Sequence, residues 1–134
     1  MRKFIYLIIG ILSIGICSSY LTNQNKIRAF NFIESYYSHH DHAVYYAKIQ
    51  GNHIDYRVTF DNGTIIKYDD NYYINFIECG KYDTIPREVL SKKVQKYIVQ
   101  NYDSVKIIKY MILDKSMEII LNNGDSIKFK YGRD

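Results

Sequence analysis

Apolar residues recur along this chain in two helical stripes and in several shorter alternating runs. Leu90, Val94, Tyr97, Ile98 and Tyr102 fall on one face of a helix, and Ala29, Phe32, Ile33 and Tyr37 form a matching stripe earlier in the chain. Ser91 is placed to cap the second helix, with the segment around Pro86 as its lead-in turn. Both stripes read as core-facing.

The strands repeat as well. Laid over Met117–Phe129, the segment Tyr56–Tyr68 sets Tyr56, Val58, Phe60, Ile66 and Tyr68 on Met117, Ile119, Leu121, Ile127 and Phe129. Upstream, Phe32–Tyr37 matches Tyr97–Tyr102, and the first copy carries extra residues between Ser38 and Ala43. A two-residue turn at Asn62-Gly63 would set Val58 opposite Lys67, burying a lysine. A three-residue loop, Asp61-Asn62-Gly63, sets Val58 opposite Ile66 and Tyr56 opposite Tyr68, and the second copy obeys the same logic. Gly63 and Gly124 are therefore expected at positive φ.

Further strands are expected at Val44–Ile49, Tyr72–Cys79 and Val105–Ile112. The order α-β-β-β-β-α-β-β-β predicts an α+β fold. In it, a tandem repeat of helix plus antiparallel strands, about 26–79 and 86–131, forms one curved sheet with both helices on one face. Asp55, Arg57, Thr59, Lys67, Glu118, Ile120 and Lys128 are assigned to the other face, with some surplus tyrosines.

The N-terminus follows a different pattern. Met1-Arg2-Lys3 is positive, Phe4–Ile16 is unbroken apolar, and Cys17-Ser18-Ser19 is small. That layout is a secretory signal peptide over residues 1–19, too short to span a bilayer, leaving one domain at 20–134 with no transmembrane span after processing. A lipid anchor through Cys17 is the alternative, although Ile14-Gly15-Ile16 departs from the lipobox. After cleavage only Cys79 remains, so no internal disulfide is expected and the fold stands on its core.

Composition narrows the function classes. Fifteen tyrosines, no tryptophan and one proline favour an ordered, strand-rich chain. The formal net charge is +4, but Arg2 and Lys3 lie in the leader, leaving too little basic excess for a nucleic-acid footprint. Lys92, Lys93 and Lys96 read as a solvated helix face.

Three stretches carry a family resemblance: Val58-Thr59-Phe60-Asp61-Asn62-Gly63-Thr64, Ile77-Glu78-Cys79 leading to Ile85-Pro86, and Tyr97-Ile98-Val99-Gln100-Asn101-Tyr102. Together with the duplicated order, over roughly Lys26 to Tyr131, the chain resembles the PepSY-like, β-lactamase-inhibitor-like proteins, small exported proteins of Gram-negative envelopes. The resemblance implies two helices against a curved antiparallel sheet, a periplasmic or secreted location, no catalytic residues and no cofactor. It does not establish β-lactamase inhibition, because a shared fold does not fix function.

Candidate chemistry is sparse. His39, His40, Asp41 and His42, in the inserted loop, combine imidazole and carboxylate, which suit zinc, copper or nickel, and they define an alternative reading as a metal-binding envelope protein. No nucleophile–base pair, framework carboxylate pair or phosphate loop is evident, which points away from an enzyme. Asp69-Asp70-Asn71 reads as turn chemistry. Tyr45, Tyr46, Tyr72, Tyr73 and Tyr110 lie in strands apolar on both faces, so alternation cannot bury them all. With Arg57 they make a candidate binding face, the other reading being that tyrosine is simply a good strand former. The resulting expectation is a monomeric, non-enzymatic module that engages an unknown protein or peptide of the envelope through the open face of its sheet.

Overall fold

The computed structural model describes residues 19–102 and 104–130, with side chains from Asn23 onward. Residues 1–18 of the leader, Cys17 among them, and Tyr131 lie outside these limits. The elements run α1 (Ser19–Tyr37), β1 (Ala43–Gln50), β2 (His53–Phe60), β3 (Ile65–Tyr68), β4 (Ile74–Glu78), a 3-10 turn at Arg87–Val89, α2 (Lys92–Asn101), β5 (Ile107–Leu113), β6 (Ser116–Leu121) and β7 (Ser126–Lys130). The strands form one seven-stranded antiparallel sheet in which spatial order equals chain order. Each strand therefore pairs with its sequence neighbour, including β4 with β5 across the excursion through α2.

Period-two alternation decides what each face carries. Val58, Ile66, Ile77, Tyr110, Ile119 and Ile127 are successive cross-strand partners from β2 to β7, and every one is buried. Ile66, Ile77 and Ile119 have no exposed surface; burying each such side chain stabilises the fold by about 1.5–3 kcal/mol. Ala29, Ile33 and Tyr37 of α1 and Val94 and Ile98 of α2 join the same cluster. On the opposite face, Arg57, Lys67 and Lys128 are exposed, while Thr59, Glu118 and Ile120 are half-buried among their neighbours.

Gly63 has φ 91° and Gly124 φ 93°. Around them, the Phe60 N–H donates to Thr64 O and the Gly63 N–H to Phe60 O, while the Leu121 N–H donates to Asp125 O and the Gly124 N–H to Leu121 O. Asn62 Oδ1 accepts from the Thr64 N–H at 3.0 Å, and Asn123 Oδ1 accepts from the Asp125 N–H at 2.9 Å. The pairs Val58–Ile66 and Ile119–Ile127 therefore share one loop geometry.

Three details depart from the pattern expected. The strand foreseen at Tyr72–Cys79 spans only Ile74–Glu78, because Tyr72 sits at φ 60° in the preceding turn and Asp69 Oδ1 accepts from the N–H groups of Asn71 and Tyr73. The strand foreseen from Val105 begins at Ile107. Tyr97, placed in the buried stripe of α2, is 42% exposed and packs edge-on against Phe129 at the helix margin.

Candidate functional site

Three features of the chain meet at one end of the sheet: the turn after α1, the β2–β3 loop, and the segment between β4 and the 3-10 turn. Gly80 opens that segment, and a Cβ there would lie 2.1 Å from Asn62 O, so only glycine lets the two backbones approach so closely. The Gly80 N–H donates to Thr64 Oγ1, and Asn62 Nδ2 donates to Lys81 O. Tyr82 follows at φ 66°, fully exposed, and this left-handed step turns Asp83 inward.

The Asp83 carboxylate is the centre of the cluster. Its side chain is 4% exposed and accepts from Asn62 Nδ2 at 2.8 Å and from the Thr64 hydroxyl. His39 Nε2 lies 2.9 Å from Oδ1, and His40 Nε2 lies 2.8 Å from Oδ2. Burial alone would raise the Asp83 pKa, but the hydrogen bonds from Thr64, Asn62, His39 and His40 outweigh it and hold the carboxyl below its ordinary value. His40 reaches further, with its Nδ1 2.9 Å from Asp61 Oδ1. Both nitrogens of that ring therefore face carboxylate oxygens. Tyr37 stacks nearly parallel to His40, and its hydroxyl donates to Thr84 O, tying α1 to the same segment.

His39 and His40 thus come together with Asp83, while Asp41 and His42 are exposed and stand outside the cluster. The four-residue ligand set suggested by the sequence is corrected accordingly. Adjacent side chains in one turn diverge, and the helix end aims only His39 and His40 at the β2–β3 loop. The sequence pattern does not mark Asp83, Asp61, Asn62 or Thr64 as site residues, since nothing in a 44-residue separation points to Asp83 as the partner of His39.

The proposed tyrosine face also divides. Tyr46 and Arg57 are cross-strand partners on the open face, with the guanidinium 4.7 Å from the ring centroid. Tyr110 is buried in the core row. Tyr45 packs on the helix side against Phe30, and Tyr72 stacks on Tyr56 with centroids 4.4 Å apart. Tyr73 lies under Arg28 of α1. Tyr72, Tyr73 and Tyr110 line a cleft of about 560 Å³ with Arg28, Phe32 and Tyr68. The six residues therefore do not share a surface, because strand parity, which decides the face, is opposite for Tyr45 and Tyr46.

On the open face, Lys67 and Lys109 both approach the Phe76 ring, at 4.7 and 5.5 Å, and Lys109 pairs with Glu78 at 3.0 Å. Lys48, Arg57, Lys67, Lys109 and Lys128 outnumber Asp55, Glu78 and Glu118 there.

No known family profile and no curated protein sequence matches this chain. Solved structures do. One is a proposed periplasmic protein of the DUF2874 family from Bacteroides vulgatus, 26% identical, with a TM-score of 0.66, covering 81% of this chain and 85% of its own. A second, from Bacteroides thetaiotaomicron, is described as a proposed calcium-regulated periplasmic protein; it is 25% identical, with a TM-score of 0.62 over 76% of this chain and 80% of its own. A third, of unknown function and also from Bacteroides vulgatus, shares the fold at 20% identity and a TM-score of 0.63, covering 78% of this chain and 83% of its own. The chain therefore has the architecture of these proposed periplasmic proteins. No helix among the described residues is long and apolar enough to cross a membrane.

Proposed function

We propose that this chain is an exported, non-enzymatic binding module of the PepSY-like, β-lactamase-inhibitor-like type, working in the periplasm on the open face of its sheet. The observation that carries the reading is the composition of that face. The sheet presents Tyr46, Phe76 and Met111 there, with Arg57 against the Tyr46 ring and Lys67 and Lys109 against Phe76, and no described element packs over them. Aromatic rings and arginine set among lysines suit an acidic protein segment with apolar side chains of its own. The leader and the likeness to proposed periplasmic proteins support the location. The equivalent hairpins at Gly63 and Gly124 support a tandem repeat, with β4 as the connector between copies. The calcium regulation ascribed to the second neighbour is not carried over, because the His39–His40–Asp83 cluster offers two imidazole nitrogens to one carboxylate, a donor set calcium disfavours.

The test is capture from envelope extract by the immobilised mature protein, alongside Arg57→Glu and Phe76→Ala. A specific partner held by the native chain and released by both variants, with unchanged circular dichroism, supports the reading. Equal retention by folded variants sinks it.

A further inference from the structure

The geometry points to a zinc-type divalent metal site formed by His39 Nε2, His40 Nε2 and the Asp83 carboxylate, with the fourth coordination position open to solvent. The three ligand atoms lie within 4.8 Å of one another. Ligand atoms around tetrahedral zinc stand roughly 3.3 Å apart, given metal–ligand bonds of about 2.0–2.1 Å. His39 Nε2 lies 2.9 Å from Asp83 Oδ1 and His40 Nε2 2.8 Å from Oδ2, so each imidazole nitrogen already stands near zinc-ligand spacing from one oxygen of the carboxylate. Two imidazoles and one carboxylate are a borderline-soft donor set, suited to zinc rather than to calcium or magnesium.

A second, independent observation concerns the groups behind the ligands. His40 Nδ1 faces Asp61 Oδ1 at 2.9 Å, so the ring carries a carboxylate on the nitrogen turned away from the candidate ion. That arrangement sets ring orientation and basicity in zinc sites. Asp83 is held in turn by Asn62 and Thr64, so the carboxylate is oriented before any ion arrives. Exposure completes the case. The His40 and Asp83 side chains are 7% and 4% exposed, whereas His39 is 59% exposed and marks the side from which an ion and its water would enter. Three protein ligands with one open position is the pattern of a reactive or exchangeable zinc site rather than a closed structural one. Zinc binds an imidazole through the lone pair of its nitrogen, so any hydrogen held at either Nε2 passes to solvent as the ion enters.

The experiment is isothermal titration of zinc chloride into the untagged mature protein, run beside His39→Gln, Asp61→Asn and His42→Gln. One equivalent should bind to the native chain. His39→Gln, whose exposed side chain leaves the fold undisturbed, should weaken binding by tenfold or more. Asp61→Asn should weaken it by about tenfold, the usual effect of losing a carboxylate behind a ligating histidine. His42→Gln should change nothing, and calcium in large excess should not compete. The proposal is overturned if the native chain takes up no stoichiometric zinc. It is equally overturned if His39→Gln binds as tightly as the native chain, or if calcium displaces the zinc.

Discussion

His40 Nε2 lies 2.8 Å from Asp83 Oδ2, although the two residues are 43 positions apart. Between them run four consecutively paired strands, β1 to β4, and the Gly80 approach, so the contact closes the sheet's first half on itself. Because Asp83 also accepts from His39, Asn62 and Thr64, one carboxylate ties together the helix end, the β2–β3 loop and the lead-in to α2.

Asp83→Ala should therefore behave as a core lesion. It strands several buried donors at once, and the expected loss is about 3 kcal/mol in urea unfolding at neutral pH. Asp83→Asn keeps the shape and two lone pairs, so its cost should be smaller, about 1–2 kcal/mol. Equal stability of Asp83→Ala and the native protein would show that the cluster contributes nothing to the fold.

Two glycines should respond differently to the same substitution. At Gly63 a Cβ meets nothing within 4 Å, so Gly63→Ala loses only the strain of φ 91°, about 1 kcal/mol. At Gly80 the Cβ would lie 2.1 Å from the Asn62 carbonyl oxygen, a backbone atom that cannot rotate away. Gly80→Ala should cost about 2–3 kcal/mol and disturb the Asp83 cluster. Chemical denaturation of the pair checks this, and a Gly80→Ala cost no larger than that of Gly63→Ala would contradict the close approach.

The tyrosines offer a third comparison. Tyr110 belongs to the buried row, and Tyr110→Ala should cost about 3–5 kcal/mol, as for other large aromatic truncations. Tyr46 is 48% exposed on the open face, so Tyr46→Ala should stay within about 1 kcal/mol. Thermal melts of the two variants would settle which tyrosine is core, and a reversal of the order would refute the strand parity described.

Alkaline pH should weaken the fold. Burial pushes the Cys79 thiol up to about 12, and burial likewise raises the Tyr37 and Tyr68 hydroxyls above their ordinary range. The unfolded chain releases these protons at roughly pH 8.5–10, while the folded chain retains them. Between those values the native state binds more protons, so stability is full below about pH 8.5 and falls as pH rises toward 12. Urea midpoints at pH 8 and 10.5 should show the drop. In the same spirit, Cys79 should resist iodoacetamide at pH 8.5 in the native protein and react after unfolding.

Much of the architecture could be read directly from the sequence. Hydrophobic periods of two and of three to four residues are local properties, so the order of helices and strands follows from them. Hairpin register is almost as local: a wrong choice at Asp61-Asn62-Gly63 would bury Lys67, and the observed partners Val58–Ile66 and Tyr56–Tyr68 avoid that. The open-face assignment of Arg57, Lys67, Glu118 and Lys128 rests on the same parity. Export, too, is argued from the leader alone.

Only the tertiary structure decided which residues make a site. Tyr45 and Tyr46 stand in a strand apolar on both faces, where alternation gives no direction; the pairing of Tyr46 with Arg57 and of Tyr45 with buried Val58 supplies it. His39 and His40 look equivalent to Asp41 and His42 along the chain, yet the end of α1 aims just one pair at the carboxylate. Asp83 itself sits in a loop whose inward turn depends on Tyr82 at positive φ and on Gly80 against Asn62. Such contacts arise from chain closure over long separations, where local periodicity carries no information and packing alone selects the partner.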